Sequence, residues 1–521
     1  MRTWNLPPES PLTPRLAADA RLTDPDFADD QIWEFVVGEG EPPALVIRTT
    51  YGLRARSMRI FPSFSWRGEP RTEPATFAQG ARVETILPNY LRVRMRPFHD
   101  LDVVAEYWVP DSQSLLGRFT MLNDGEGPGE LQLRLHADLQ PEQGGSRMSP
   151  QHLSGVSLLS GETGDLCPIL FVSGGALAET AAKPALAVRR VLPAGDPQRV
   201  FWAHVGLGDP EAALTRAREY AGVNWEAEIA RVERTNDGWI EIESGDSERD
   251  AVFAASQQTA LRCMMGSSHL LPQPSFVLSR TPDDGYSARG DGRDHEDDWS
   301  GQDVWAAYQL SRVLLHVEPQ RIKGWLRNYL YVQEASGEID SKPGLAGQRA
   351  GTLCPPLLAT LAQKTIRSSG DDEFAREVFD PLLDFVQSWF SSRHDRDGDG
   401  APEWDHPLHS GYPESPTFVS WGEWGQGLDI RFSESPDLLA YLLQECKVLI
   451  EIGQSIGRGE AVAELETRAT GLRQALRRSW DDGDGTFRHL DRELHVASEG
   501  KRLGGGRGEC RVEVEGSYDP M

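Results

Sequence analysis

The stretch "GLGDPEAALTRAREYAGVNWEAEIARVERT", residues 206–235, separates two halves of the sequence that differ in hydrophobic period. It places Asp209 where a helix N-cap is expected and Pro210 at the first helical position, so it predicts a helical connector. Before it, apolar and polar residues alternate in short segments, and after it apolar residues recur at helical spacing. In a chain of 521 residues, this change predicts several domains of different fold class.

The first half has the pattern of an antiparallel β-sandwich. "YLRVRMR", residues 90–96, alternates apolar residues with arginine, and "ELQLRLHADL", residues 130–139, repeats the alternation after the turn cluster "NDGEGPG". Further strands are predicted near residues 31–37, 44–52, 101–108, 115–122, 186–192 and 198–206. Many short strands with glycine and proline between them predict a sandwich over residues 1–206.

The second half is predominantly helical. Apolar residues at helical spacing predict about seven helices, near 247–265, 300–316, 320–336, 354–368, 381–390, 436–453 and 460–480. Asp380-Pro381 and Ser435-Pro436 are each predicted as a cap and first helical position. The predicted domains are therefore a connector over 207–246, a helical domain over 247–485, and the start of a β-rich insertion over 486–521.

Composition excludes several classes of partner. A formal charge of −27 argues against binding to nucleic acid or to an anionic membrane surface, because both would be repelled. The charge does not argue against a neutral ligand. The first residues contain no apolar signal segment, and no window approaches the length needed to span a bilayer. Five scattered cysteines without a CxxC pair predict reduced thiols in a cytoplasmic protein.

Two loops, 267–299 and 394–435, are unusually long. Loops of this length are usually functional or disordered, so the candidate functional residues are sought in and next to them. The first loop leads into "YSARGDGRDHEDDWSGQDVW", residues 286–305. One interpretation is a solvated acidic loop. The other is a carbohydrate subsite, in which carboxylates bind sugar hydroxyls and indole rings stack on the sugar, with Asp303 and Trp305 positioned by a helix start.

The second loop begins with "HDRDGDGAPEWDHP", residues 394–407. Asp395, Asp397 and Asp399 match the start of a calcium loop, and Glu403 is predicted to complete an oxygen cage. Position 12 is His406 where an EF-hand has a glutamate, so this is not an EF-hand. We predict a structural calcium, and a polar turn without metal is the alternative.

The same loop ends with "EWGQGLDIRF", residues 423–432. Asp429 is either a turn-capping carboxylate or a proton donor. A donor needs a raised pKa, which partial desolvation by Trp421, Trp424 and Phe432 would supply.

Three segments carry a family resemblance: "WSGQDVWAAYQLSRVLL" (299–315), "EWGQGLDIR" (423–431) and "ESPDLLAYLLQECKVLIEIGQSIG" (434–457). They resemble the clan of inverting (α/α)6-barrel glycosidases, which includes glycoside hydrolase family 63, mannosylglycerate hydrolases and trehalases. The sequence is also similar to glycogen-debranching-like proteins. The resemblance implies that Asp429 is the general acid of an enzyme acting on an oligosaccharide or small glycoside. It further implies a set of substrate-binding residues: Asp303, Trp305, Trp421, Glu423, Trp424 and Arg431.

An inverting glycosidase also needs a second carboxylate to activate water. In the family that base is a glutamate near the end of a twelve-helix toroid, beyond the helices predicted here. We therefore expect an N-terminal β-sandwich followed by an incomplete (α/α)6 toroid, in a C-terminally truncated chain that lacks the base. The predicted function is hydrolysis of α-glucosidic or related linkages by inversion. Alternatives are a non-catalytic carbohydrate-binding protein, and a phosphorylase or lyase on the same barrel.

Overall fold

The structure is a computed structural model that describes residues 13–410, 429–496 and 511–512. The chain divides into two compact units, of which the first comprises Met1–Gly266 with Phe276–Trp299 and the second comprises Ser267–Ser275 with Ser300–Met521. The predicted domain boundaries at residues 206, 246 and 485 stay predictions.

Up to Arg262, the described part of the first unit contains sixteen strands followed by three helices. The strands are β1 (Arg15–Leu16), β2 (Trp33–Glu39), β3 (Ala44–Thr49), β4 (Ala55–Trp66), β5 (Glu69–Arg71), β6 (Gln79–Leu87), β7 (Tyr90–Phe98), β8 (Leu101–Asp111), β9 (Ser114–Asn123), β10 (Gly129–Pro141), β11 (Ser146–Leu153), β12 (Val156–Glu162), β13 (Ile169–Val172), β14 (Leu177–Glu179), β15 (Ala185–Leu192) and β16 (Gln198–Val205). The helices are α1 (Pro210–Ala221), α2 (Trp225–Thr235) and α3 (Ser247–Arg262).

These strands form two antiparallel sheets that share one core. One sheet has the order β1-β2-β3-β4-β10-β15-β14, with β5 paired to β4, and the other has the order β11-β12-β13-β16-β9-β8-β7-β6. Buried side chains from both sheets meet, as where the rings of Phe64 and Phe119 lie 6.4 Å apart edge to face. Helix α1 covers the outer face of β13 and β16 through a second apolar cluster that contains Leu214 and Trp225.

One strand pair shows why a glycine is needed in this core. Gly117 of β9 lies directly opposite Trp202 of β16. A Cβ atom at Gly117 would lie 2.1 Å from the Trp202 indole, which is too close for any non-bonded contact. The glycine therefore lets the indole pack across the neighbouring strand.

The remaining elements follow in chain order. The strands are β17 (Met264–Met265), β18 (Ser275–Phe276), β19 (Pro343–Gly344), β20 (Gly347–Gln348), β21 (Ser433–Glu434), β22 (Trp480–Asp481), β23 (Thr486–Arg488), β24 (Leu490–Asp491) and β25 (Arg511–Val512). The helices are α4 (Asp297–Ser300), α5 (Val304–Leu314), α6 (Pro319–Tyr331), α7 (Leu358–Ser369), α8 (Asp372–Ser388), α9 (Pro436–Ser455) and α10 (Ala463–Ser479). Within the second unit, α7 packs against α6, α8 and α9, and α10 packs against α9.

The predicted order of the two fold classes is confirmed: antiparallel sheets come first and helices follow. The arrangement of the helices as part of an (α/α)6 toroid stays a prediction. Asp209 caps α1 by accepting from the backbone N–H groups of Glu211 and Ala212, and Pro210 is the first helical residue, as predicted. From residue 247 onward the described part of the chain contains seven helices longer than one turn, which matches the predicted number. No helix in the described ranges is long and apolar enough to cross a membrane.

One predicted helix start is wrong. The Asp380-Pro381 pair lies inside α8, which begins nine residues earlier and is capped by Asp371 through a 3.0 Å bond from the Phe374 N–H. Phe374 and Val378 are buried on the same face as the later apolar residues of α8. Burial of this extended face outweighs the loss of one helical hydrogen bond at Pro381.

Candidate active site

The acidic loop after α8 is organised by its own carboxylates. Asp395 accepts from the Gly400 N–H at 3.1 Å, and Asp399 accepts from the Ala401 N–H at 2.8 Å. Gly398 and Gly400 both have positive φ values, of 75° and 87°, which glycine adopts without strain. The D-x-D-x-D-G motif therefore forms a tight turn that faces its carboxylates toward one another.

Two groups of side chains in this region have the spacing of a metal site. Asp395, Asp397 and Asp399 offer carboxylate oxygens within 4.8 Å of one another, and Asp397, Glu434 and His495 form a second such group. The Oδ1 atom of Asp395 is buried and has no hydrogen-bond partner among the described residues. Carboxylate oxygens are the ligands that calcium prefers, so the first group fits this ion.

Glu403, the fourth predicted metal ligand, lies elsewhere. It is fully buried and accepts from Nη1 of Arg396 at 3.0 Å, instead of joining either carboxylate group. Burial raises the pKa of Glu403 to about 7, against the lowering effect of Arg396. Arg396 also binds Asp405, whose second oxygen lies 2.9 Å from Nδ1 of the buried His394. Sequence reasoning missed this network, because the contacts of Arg396 and His394 depend on how the loop folds.

Asp429 is held by a local ion pair. It caps the 3-10 turn Ile430–Phe432 by accepting from the Arg431 N–H at 3.0 Å, and the Arg431 guanidinium binds both of its oxygens at 2.6–3.1 Å. The Asp429 side chain is 32% exposed. The hydrogen bonds from Arg431 lower the pKa of this carboxyl, and burial opposes that effect only in part.

The direction of this pKa shift is opposite to the expected one. We predicted a carboxyl held protonated among indole rings, whereas the described neighbours of Asp429 favour its ionised form. Trp421, Glu423 and Trp424, the other candidates in this loop, lie outside the described residues. Phe432 is 37% exposed and has the Arg492 guanidinium 4.7 Å from its ring centroid.

Asp303 and Trp305 are positioned by the start of α5, as the sequence suggested. Asp303 is the N-cap and accepts from the Ala306 N–H at 3.0 Å, while burial raises its pKa. The Trp305 indole packs edge to face on Tyr441 at 5.4 Å, and its Nε1–H is buried without a hydrogen-bond partner in the described ranges. Tyr441 belongs to α9, the helix that follows Asp429.

The structure thus brings together part of the predicted site. Trp305 lies against the helix that begins seven residues after Asp429, so the two candidate segments share α9 as their support. Among the described residues, no hydrogen bond or ion pair joins Asp303 or Trp305 to Asp429. Arg431 binds Asp429 directly, so it positions the carboxyl in addition to its predicted role toward substrate.

Comparison with known proteins finds a family model that matches part of the helical unit. Residues 300–505 match the family model described as the mannosylglycerate hydrolase MGH1-like glycoside hydrolase domain. No curated protein matches the chain.

Solved structures are similar only at a distance. The GH63 mannosylglycerate hydrolase from Thermus thermophilus in complex with Tris is 15% identical, with a TM-score of 0.34, over 39% of this chain and 64% of that one. A bacterial glucoamylase complexed with acarbose is 10% identical, with a TM-score of 0.48, over 95% of this chain and 72% of that one. The chain therefore spans slightly less than two thirds of the mannosylglycerate hydrolase. The likeness of this chain to glycoside hydrolases is therefore carried by the family model that residues 300–505 match.

Proposed function

We propose that this protein is a glycoside hydrolase that cleaves α-glucosidic or related linkages with inversion, and that Asp429 protonates the leaving oxygen. The observation that carries the proposal is the family match over residues 300–505, which includes Asp429, Asp303 and Trp305. The packing of Trp305 on the helix after Asp429 supports a common sugar-binding region.

Protonation of a glycosidic oxygen requires a proton on Asp429 at the moment of cleavage. In the free protein Arg431 favours the ionised carboxylate, so substrate must weaken this pair before Asp429 acts as an acid. A sugar hydroxyl that accepts from Arg431 would do so, and the same sugar would exclude water from the carboxyl. Both effects raise the pKa of Asp429. Arg431 is therefore assigned both a substrate contact and control of the acid.

The described residues contribute recognition groups as well. Trp305 offers a partly exposed indole ring on which a sugar can stack, and Asp303 is fixed by its capping bond. An inverting mechanism also requires a second carboxylate as the water-activating base. The predicted contributions of Trp421, Glu423 and Trp424 to sugar binding remain part of the same proposal.

Asp429→Asn tests the acid role through leaving-group dependence. An amide cannot donate the proton, so cleavage of maltose, whose leaving group needs protonation, is expected to fall about 100- to 10,000-fold. Cleavage of 4-nitrophenyl α-glucoside should fall much less, because nitrophenolate leaves without a proton.

Asp380→Asn is the matched control. Asp380 forms an exposed ion pair with Arg458 at 2.8 Å, similar in kind to the pair of Asp429 with Arg431. The control should retain wild-type rates on both substrates. Equal losses on both substrates in the Asp429 variant would contradict the acid role, and dependence of turnover on phosphate would contradict hydrolysis.

The proposed structural calcium is held by Asp395, Asp397 and Asp399. It would neutralise their mutual repulsion and fix the acidic loop. Removal of divalent ions with EDTA is expected to lower the melting temperature of the full chain, and added calcium should restore it. In the Asp397→Asn variant, EDTA should lower the melting temperature little or not at all. An unchanged melting temperature in wild type would reject the ion.

A further inference from the structure

A cleft in the first unit lies between the end of β6, the segment that follows α2, and the flank of α3. Its volume is about 440 Å³, which is in the range of small-molecule sites. Its walls include Trp239, Phe253 and Gln258 together with the carboxylates of Glu233 and Glu241. We call it the α3 cleft, and every residue that lines it belongs to the first unit.

The indole in this cleft is held in a fixed orientation. Trp239 donates through Nε1 to the side-chain oxygen of Asn236 at 2.9 Å, and Arg21 donates to the same oxygen at 2.8 Å. Arg21 is itself fixed by two bonds to Asp19, at 3.0 and 2.7 Å, and its guanidinium lies 5.8 Å from the Trp239 ring centroid. An aromatic ring positioned in this way needs little ordering when a ligand binds.

The segment that carries Trp239 is tied to α3 at two points. The Gln257 side chain bonds both the N–H and the carbonyl of Ile240, at 3.3 and 2.9 Å. Asp250 accepts from the N–H and the hydroxyl of Ser244, at 3.0 and 2.6 Å. The wall of the cleft is therefore formed before any ligand arrives.

Gln258 is the residue that points to a ligand. It lines the cleft, is only 6% exposed, and its Oε1 has no hydrogen-bond partner among the described residues. A buried amide oxygen without a donor destabilises the folded chain, and each such atom in a native protein calls for an explanation. A bound molecule with a hydroxyl group would supply the missing donor.

The lining also defines the chemistry of the ligand. Among the described residues that line the cleft, there are carboxylates and amides but no lysine, arginine or histidine, so phosphates and other anions would be repelled. Amide and carboxylate oxygens accept from hydroxyl groups, and Trp239 and Phe253 provide apolar ring surface. We propose that the α3 cleft binds a neutral saccharide unit, as an additional carbohydrate site in the first unit of this protein.

The test measures binding of maltotriose and α-mannobiose to the full chain by isothermal titration calorimetry, in an Asp429→Asn background that prevents turnover. Trp239→Ala is expected to weaken binding tenfold or more, because the indole is the fixed apolar surface. Trp480→Ala removes another partly exposed indole, at 42% exposure, and should leave binding unchanged.

Gln258→Leu separates a ligand-binding role from a structural one. It removes the unpartnered oxygen while keeping the shape, so it should weaken saccharide binding about fivefold without lowering the melting temperature. Two results would overturn the proposal: no binding of either sugar at millimolar concentration, or a lower melting temperature for Gln258→Leu.

A further variant keeps this proposal distinct from the proposed hydrolase site. Trp305→Ala should leave the binding at the α3 cleft intact, because Trp305 belongs to the second unit. If Trp305→Ala abolishes the measured binding while Trp239→Ala does not, the sugar occupies the hydrolase site and the α3 cleft is not a saccharide site. If Trp239→Ala abolishes the binding while Trp305→Ala does not, the α3 cleft is the saccharide site, whatever the role of Asp429.

Discussion

Glu445 gives the sharpest prediction, because it is an acid buried in the middle of a core helix. It lies on α9, is fully buried, and accepts from the backbone N–H groups of Ala359 and Thr360 at 2.7 and 2.8 Å and from the Thr360 hydroxyl at 2.6 Å. Leu357, the N-cap position of α7, makes no side-chain capping bond. Glu445 therefore caps α7 from another helix.

This placement links the stability of the helical unit to pH. Burial raises the pKa of Glu445 from its ordinary value of 4.5 to about 7, and the hydrogen bonds from Thr360 and Ala359 offset this only in part. Between these two pH values the folded chain keeps the proton while the unfolded chain releases it. The free energy of unfolding therefore falls as pH rises from 4.5 to about 7 and levels off above that value. At about 1.4 kcal/mol per pH unit, the loss is about 3 kcal/mol.

Glu445→Gln removes the titrating group and keeps the shape. We expect the difference in unfolding free energy between wild type and this variant to change by about 3 kcal/mol between pH 4.5 and 8, with wild type losing stability. Urea denaturation across this range, followed by tryptophan fluorescence, measures the difference. Hydrogen exchange of the peptide that covers residues 355–365 reports whether α7 opens with it.

Glu451 provides the matched control. It also lies on α9 and also bonds α7, through Arg367 at 2.9 Å, but its side chain is 57% exposed. Glu451→Gln is expected to change stability by less than about 0.5 kcal/mol at every pH. If the difference between wild type and Glu445→Gln stays flat, or if wild type gains stability as pH rises, the donors of α7 hold Glu445 ionised and the reasoning fails.

Two further predictions address single ion pairs. Arg431→Gln removes the donor that lowers the pKa of Asp429, so the fall of kcat/KM at high pH should move to higher pH. The free energy of unfolding should change by less than about 0.5 kcal/mol. An unchanged pH profile would show that the protonation of Asp429 does not control kcat/KM. Asp30→Asn should cost about 3–5 kcal/mol in urea denaturation, because Asp30 and Arg280 are paired at 2.7 Å and both side chains are fully buried; a loss under 1 kcal/mol would show that the pair is dispensable.

Much of the fold follows from local sequence because its signals are periodic. The alternation in residues 90–96 and 130–139 predicts strands that occur as β7 and β10, and Asp209-Pro210 predicts the start of α1. Pro381 shows the limit of such signals. A proline usually marks the start or the end of a helix, but the buried face shared by Phe374 and Val378 extends α8 through it.

The site was less predictable than the fold. The D-x-D-x-D-G motif identified three carboxylates that converge, because they lie in one tight turn. Glu403 was assigned to the same cage by proximity in sequence, whereas the folded loop turns it toward Arg396. For Asp429 the sequence indicates the position in the family pattern but not the protonation, which depends on the geometry of Arg431 two residues later.

The sequence by itself determined the order of sheets and helices, the positions of about half of the strands and most long helices, and the segments with family resemblance, because hydrophobic period and motif spacing are properties of neighbouring residues. The tertiary structure alone decided which charges meet. Glu445 reaches the start of α7, 86 positions away along the chain, and Gln258 faces a cleft formed in part by the end of β6. Burial and pairing set protonation and ligand preference, and both depend on contacts through space.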